Sequence, residues 1–279
     1  MQILPYIIQQ TQLPSKSIEN TIILLNEDAT IPFISRYRKE MTGNLDEIQI
    51  GEIVKFKALF EALEKRKKAI LKVLEELQVL TSELEQKVLR TRDLISLEDI
   101  YLPFKKKRKT KAETARLQGL EPLAKMIMSQ HVNDLKHTAS KYTSNKVDTI
   151  EDALEGARFI IAEWINERTD IRNNIRQQLA RFAIISSKII KSKINEEKAQ
   201  KFKGYFDWQE SLNRIPSHRL LAILRAENEG FIRLKIEIDS DSAIQKIADN
   251  IIRTQNTCAP QIQLAIKDAF KRLLFPSLS

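Results

Sequence analysis

The chain has 279 residues, of which 42% are apolar and 30% charged, a balance that fits a folded globular protein better than a disordered or fibrous one. Its six glycines contain no G-x-G-x-x-G or G-x-x-x-x-G-K spacing, which excludes Rossmann and P-loop phosphate sites. A single cysteine, Cys258, excludes an internal disulfide and a zinc site built from cysteines. The net charge of +9 is mild for this length, so the placement of the charges matters more than their total.

No stretch approaches the roughly 20 apolar residues that cross a bilayer. The first residues also lack the basic start and the long apolar run of a signal peptide. Both absences predict a cytoplasmic protein with no membrane partner. The basic excess, with an isoelectric point near 9.4, suggests an anionic partner.

Helical periodicity covers most of the chain. Ile18, Ile22 and Leu25 recur at intervals of four and three residues, which is the spacing of one buried helix face. Asp46 is placed to cap a long helix predicted over 46–78, where no proline interrupts.

The apolar stripe of this long helix is interrupted at 64–68, Glu-Lys-Arg-Lys-Lys. A continuous helix that buries both ends and exposes its middle to water has this pattern, and a bend at the gap is the alternative. We favour the continuous helix because no residue in the gap breaks a helix.

Capping residues predict the boundaries of the later helices. The predicted N-caps are serines and threonines that can accept a hydrogen bond from the first turn: Ser82, Thr110, Thr149, Thr169 and Ser217. Prolines open two further helices, glycines end two, and a last proline ends the final helix: Pro122, Pro260, Gly119, Gly230 and Pro276.

One segment departs from the helical period. From Ile232 to Asp239 apolar and charged residues alternate, which predicts a half-buried strand. A strand needs a pairing partner, and Ile184–Ile190 is the nearby candidate, with a strand from another chain as the alternative. The predicted fold class is mostly α, multihelical, with a minor β element.

Catalytic and metal chemistry find little support in the sequence. The three histidines form no H-E-x-x-H motif and have no second ligand at a chelating spacing. Cys258 has no basic neighbour in sequence, so we expect a buried, inert thiol. Adjacent acidic pairs fall at helix starts or on charged faces, where the helix dipole explains them. We therefore expect no catalytic residue, no metal, no cofactor and no enzymatic activity.

The densest charge lies at 105–111, where six of seven residues are cations: Lys105, Lys106, Lys107, Arg108, Lys109 and Lys111. Phosphate groups would neutralise this run and release counterions, and a solvated loop is the alternative. Tyr101 and Phe104 precede the run; they stack on bases or hold the loop to the core.

Two further basic groups are less specific. Arg36–Glu40 lies close in sequence to several acids, which favours a structural salt-bridge network over a ligand site. The segments 150–166 and 170–182 predict two helices joined by a short turn, as in a helix-turn-helix pair. Their arginines are candidate phosphate contacts: Arg168, Arg172, Arg176 and Arg181.

Five blocks, in order along the chain, resemble the bacterial Tex family of transcription accessory proteins. They are Thr30-Ile-Pro-Phe-Ile-Ser-Arg-Tyr-Arg-Lys-Glu-Met-Thr-Gly-Asn-Leu-Asp-Glu, Leu97-Glu-Asp-Ile-Tyr-Leu-Pro-Phe-Lys-Lys-Lys-Arg-Lys-Thr, Gly119-Leu-Glu-Pro-Leu-Ala, Pro216-Ser-His-Arg and Arg225-Ala-Glu-Asn-Glu-Gly. The resemblance implies a nucleic-acid-binding factor linked to transcription and related to a eukaryotic elongation factor. It also implies a multihelical region with a helix-turn-helix-like part, followed in the family by an RNase-H-like domain, helix-hairpin-helix elements and an OB-fold RNA-binding domain.

This chain therefore resembles the N-terminal third of such a protein. We predict a helical region over 1–102 with the long helix, and a basic loop with a helix-turn-helix-like subdomain over 103–183. Residues 184–279 would form a helical region with short strands that leads to the RNase-H-like domain.

Two functions follow from the sequence. In the first, Lys105–Lys109, Lys111 and the three arginines 168, 172 and 176 contact the phosphates of RNA or DNA. In the second, the helices are a scaffold for protein contacts within the transcription machinery, RNA polymerase included. Nucleic-acid binding would then belong to the OB-fold domain.

Overall fold

The structure is a computed structural model that describes residues 2–105 and 110–279. The chain divides into two compact units, residues 1–105 and residues 106–279, named here the N-terminal and the C-terminal unit. Helices dominate both units, and a small sheet lies in the second, which confirms the predicted fold class. No described helix combines the length and the apolar character that a membrane span requires.

The N-terminal unit is built around one 30-residue helix. Its helices are α1 Ile3–Thr11, α2 Ser15–Asn26, α3 Ile31–Tyr37, α4 Lys39–Thr42, α5 Glu47–Glu76, α6 Ser82–Arg90 and α7 Leu94–Tyr101. Helix α5 is continuous, as predicted, and at 1.5 Å per residue it is about 45 Å long. Asp46 caps it in a capping box, in which its side chain and that of Gln49 each accept the other residue's backbone N–H.

Each half of α5 has its own core. Ile50 and Phe60, in the first half, lie in a buried cluster with residues of α1 to α3. Ile70 and Leu74, in the second half, lie in another cluster with Val88 of α6 and residues of α7. Helix α5 thus serves two cores, which explains the two separated apolar stripes in its sequence.

The expectation that water surrounds the middle of α5 is wrong at Lys67. This side chain is 2% exposed, and its ammonium donates to Glu64 Oε1 at 2.9 Å and to the Leu89 carbonyl at 3.0 Å. Leu89 lies in the last turn of α6, whose carbonyls lack intrahelical partners and attract a cation. One residue of the charged segment 64–68, Lys67, is therefore buried where α5 contacts α6.

The C-terminal unit surrounds helix α11. Its helices are α8 Lys111–Leu117, α9 Glu121–Ser129, α10 Leu135–Ser140, α11 Ile150–Glu167, α12 Thr169–Phe182, α13 Glu197–Gln200, α14 Ser217–Asn228, α15 Ser240–Ile251, α16 Ala259–Asp268 and α17 Phe275–Leu278. Thr149 caps α11 in a box with Asp152, as its sequence predicts. Helix α11 packs on α8, α9 and α16 and is buried along most of its length.

A three-stranded antiparallel sheet completes this unit. Its strands are β1 Ile184–Ile189, β2 Asp207–Ser211 and β3 Ile232–Glu237, in the order β2-β1-β3. The predicted pairing of 184–190 with 232–238 is confirmed, and it starts with Ile184 opposite Glu237. Strand β2 escaped prediction because its sequence, Asp-Trp-Gln-Glu-Ser, has no alternating apolar residues.

Several predicted helix ends differ by a residue or two. The cap of α6 is Thr81, whose side chain accepts from the Leu84 N–H, in place of Ser82. Thr169 and Ser217 occupy the first helical positions, after Arg168 and Pro216, and cap nothing. The final helix passes through a π-helical stretch at 269–274 and continues to Leu278, so Pro276 does not end it.

Candidate nucleic-acid interface

The excess positive charge lies entirely in the C-terminal unit. Residues 106–279 hold 31 Lys and Arg against 21 Asp and Glu, a net charge of +10. Residues 1–105 hold 15 against 16, a net charge of −1. Net charge therefore favours the C-terminal unit over the N-terminal one as the place where a polyanion would bind.

The basic segment, residues 105–111, begins at a well-held point of the N-terminal unit. Arg66 Nε donates to Glu98 Oε1 at 2.5 Å, and this hydrogen bond lowers the pKa of Glu98. Lys105 Nζ lies 3.5 Å from the other carboxylate oxygen of Glu98. Tyr101 and Phe104 are partly buried and pack against the cluster in the second half of α5, so they hold the start of the segment.

The other end of the basic segment is held by helix α11. Thr110 caps α8 by accepting the Glu113 N–H at 3.0 Å, and its hydroxyl donates to Glu163 Oε2 at 3.3 Å. Glu163 is buried and also pairs with Arg116 at 2.8 Å. The ammonium of Lys111 lies 4.5 Å from the centre of the Phe159 ring, a cation–π distance.

Both described ends of the segment are accessible to solvent. Lys105 and Lys111 are exposed, and the side chain of Lys105 is 54% accessible. Lys106, Lys107, Arg108 and Lys109 lie outside the described residues. Contact between the basic segment and phosphate groups is therefore still a prediction.

The candidate phosphate contacts near α12 are not all exposed. Arg172 is 7% exposed and donates to the Asn166 side chain at 3.1 Å and to Ser277 Oγ at 3.4 Å. Arg168 is exposed, and its guanidinium donates to both carboxylate oxygens of Asp170. This hydrogen bonding lowers the pKa of Asp170. Arg176 is half-buried and donates to Asn173 at 3.0 Å.

The junction between α11 and α12 is shorter than the turn predicted between residues 166 and 170. Arg168 alone separates the two helices. Arg172 is buried because its position on α12 faces the core of the C-terminal unit. A helix-turn-helix role for this pair stays a prediction.

The segment Arg36–Glu40 forms an open cleft in place of a salt-bridge network. Among the residues that the structure describes, its acid–base contact is a distant pair, Arg36 to Glu47 at 3.8 Å. Arg38 lies over the Phe33 ring at 5.2 Å, and Tyr37 is 68% exposed. The cleft has a volume of about 690 Å³.

Cys258 is fully buried, as predicted, and burial raises the pKa of its thiol. In the described part of the chain, no group of three His, Cys, Asp or Glu side chains is placed to hold a metal ion.

We expect Cys258 to resist modification in the native protein. A thiol-specific disulfide reagent at pH 8 should react with it at least about 100-fold more slowly than with the urea-unfolded chain, because the thiolate is disfavoured and shielded. The measurement is the absorbance of the released reagent over time. Equal rates would show that the thiol is accessible in the folded state.

Sequence reasoning missed one group of exposed cations around the sheet: Lys188, Lys191, Lys203 and Arg233. Lys188, Lys191 and Lys203 fall in one 16-residue stretch that holds six lysines, 188–203, whereas Arg233 lies 30 residues further along the chain. The strand register, with Lys188 opposite Arg233, brings the two stretches together.

Comparison with known proteins places the whole chain within one family. A family model described as Tex-like protein N-terminal domain matches residues 1–75, and one described as Tex central region-like matches residues 130–271. The protein YdcI of Bacillus subtilis is 37% identical over 276 residues, which is 98% of this chain and 38% of that protein.

Two named relatives carry information on function. The transcriptional accessory protein Tex of Neisseria gonorrhoeae is 35% identical over 86% of this chain and 32% of its own length. The human S1 RNA-binding domain-containing protein 1 is 28% identical over 97% of this chain and 28% of its own length. The chain thus spans about a third of the length of the relatives it matches.

Proposed function

We propose that this chain, which belongs to the Tex family, is a non-enzymatic region of a transcription accessory factor that binds the phosphates of RNA or DNA. The observation that carries the proposal is the basic segment, with six cations in seven residues. Glu98, the acid nearest its start, already receives a hydrogen bond from Arg66. A run of cations this dense in the sequence is favourable beside a polyanion, whose condensed counterions it displaces.

The names of the relatives support the same role. One is a transcriptional accessory protein, and another contains an S1 RNA-binding domain. We propose that Lys105–Lys109, Lys111, Arg168 and Arg176 contact phosphates, and that Arg172 orders the junction of α11 and α12. We further propose a cytoplasmic location, no catalytic step and no cofactor. We also propose that α11 and α12 act as a helix-turn-helix pair, and that a subdomain boundary lies near residue 183.

Charge reversal in the basic segment tests this function. We expect the variant with Lys105, Lys106, Lys107 and Arg108 all changed to Glu to bind a labelled 20-nucleotide RNA or DNA over 100-fold more weakly at 0.1 M salt. Each lost phosphate contact removes a salt-dependent term worth roughly fivefold there. The measurement is fluorescence anisotropy across a salt titration.

A matched variant controls for net charge. Helix α5 offers four exposed lysines in the N-terminal unit for the same reversal: Lys55, Lys65, Lys68 and Lys72. We expect this control to bind within about threefold of the unmodified chain. Unchanged affinity in the 105–108 variant would remove the segment from the site.

A protein-contact function is favoured by the cleft at Arg36–Glu40. Tyrosine, arginine and methionine are enriched at protein interfaces, and this cleft exposes Tyr37, Arg38 and Met41 on a unit with no excess positive charge. We propose a partner within the transcription machinery, with RNA polymerase as the first to test. Retention of RNA polymerase by the unmodified chain and its loss with Tyr37→Ala would support this function.

A further inference from the structure

We propose a second phosphate-contacting surface at one end of the sheet, formed by Lys188, Lys191, Lys203 and Arg233. It deepens the proposed function, because it names a site on the C-terminal unit that is separate in sequence from the basic segment. Its ligand class is the sugar-phosphate backbone of a nucleic acid. We call this group the sheet-end cluster.

Backbone hydrogen bonds bring the four residues to the same end of the sheet. The end of β1 meets the starts of β2 and β3, because the Ile189 N–H donates to Phe206 and the Ile190 N–H donates to Phe231. Lys191 directly follows Ile190, and Lys203 precedes Phe206 by three residues. Lys188 and Arg233 are directly opposite each other in the β1–β3 register.

The sheet-end cluster is not neutralised within the described residues. All four side chains are exposed, and no carboxylate lies within 4.0 Å of any of them in residues 2–105 and 110–279. The neighbouring lysines differ, since Lys193 pairs with Glu196 at 2.6 Å and Lys201 pairs with Glu229 at 3.1 Å. One acid of the strand register, Asp207, is opposite Lys188 on β2.

The β1–β3 register lowers the stability of the free protein. Two cations directly opposite each other on adjacent strands repel and destabilise the sheet. A bound phosphate removes that repulsion by lying between the two charges. The arrangement is therefore unfavourable in the free protein and favourable in a complex with a polyanion.

The surrounding side chains favour backbone contact over base stacking. Ser186, Lys235 and Gln209 share the exposed face of the sheet with Lys188 and Arg233, and this face carries no aromatic ring. Trp208 and Tyr205 are partly buried and pack against the hydrophobic cluster on the other face. Contact of this kind does not depend on base identity.

The test neutralises the register pair in the full chain. We expect Lys188→Gln/Arg233→Gln to lower the salt slope of log affinity by about 1.4 for single strands, at roughly 0.7 per contact. That change corresponds to about 25-fold weaker binding at 0.1 M salt, for 20-nucleotide poly(U) RNA and poly(dA) DNA alike. The melting temperature should equal or exceed that of the unmodified chain, because a repulsion is removed.

Lys136→Gln/Lys141→Gln is the matched control, since both lysines are exposed and belong to the same unit. An equal loss of affinity in this control would show that net charge alone acts and would overturn the sheet-end cluster. Displacement of the nucleic acid by inorganic phosphate at constant ionic strength would also overturn the sheet-end cluster, because a single free anion should not replace a chain of phosphates.

Failure of this inference is distinguishable from failure of the proposed function. If Lys188→Gln/Arg233→Gln binds with an unchanged salt slope while the 105–108 reversal loses binding, the sheet-end cluster is refuted and the function stands. If the unmodified chain binds neither RNA nor DNA, both are refuted.

Discussion

Gly156→Val is expected to destabilise the C-terminal unit by about 3 kcal/mol. A Cβ built on Gly156 lies 2.3 Å from Leu120 Cδ1 and 3.4 Å from Ala115 Cβ, so α11 approaches its neighbours too closely for a larger residue. Leu120 is 1% exposed and has no solvent into which it can turn. Overpacking of a tight core typically costs 1–3 kcal/mol, and valine adds two methyl groups beyond the first clash.

Urea unfolding followed by tryptophan fluorescence measures this loss. Both tryptophans, Trp164 and Trp208, belong to the C-terminal unit, so the signal reports on the unit that carries the change. Gly204→Val, in the same unit, is the matched control, because nothing in the described residues lies within 4 Å of its Cβ position. We expect that variant to stay within about 0.5 kcal/mol of the unmodified chain. A similar loss in both variants would attribute the effect to valine in a helix and not to packing.

Lys67→Met is expected to destabilise the N-terminal unit by about 2–3 kcal/mol. The methionine fills a similar volume, but it leaves the Leu89 carbonyl without the ammonium that it accepts from at 3.0 Å. A buried acceptor left unpaired loses the hydration it had in the unfolded chain and gains nothing in return. Glu64, at 27% exposure, is partly rehydrated, which keeps the cost below that of breaking a fully buried pair.

Hydrogen exchange of the α6 amides localises this effect. We expect the amides of residues 85–90 to exchange faster in Lys67→Met than in the unmodified chain, since α6 loses its link to α5. Lys68→Met is the matched control, because Lys68 is the exposed neighbour on the same helix. Equal protection in the two variants would show that the Lys67 ammonium contributes nothing to the contact between α5 and α6.

The candidate site was only partly accessible from sequence. The basic segment is a contiguous run, so it is visible without a structure. Arg172 shows the limit of that approach, because a four-residue step places arginines on one helix face without telling whether the face is covered. Burial of Arg172 depends on Asn166 and Ser277, and Ser277 lies about a hundred residues away in the chain.

Local chemistry determined the boundaries of the elements. The cap of α5 at Asp46, the cap of α11 at Thr149 and the alternation in β3 each depend on residues within a turn or a strand of one another. The pairing of β1 with β3 was also within reach, because the chain offers one alternating strand and one nearby partner for it.

Only the tertiary structure decided which charges are buried, paired or gathered. Lys67 reads as solvated in sequence, yet α6 covers it. Lys188 and Arg233 lie 45 residues apart in sequence, yet the register sets them opposite each other. The physical reason is that helix and strand formation are governed by neighbours along the chain. The environment of a charge is set instead by whatever the folded backbone brings against it.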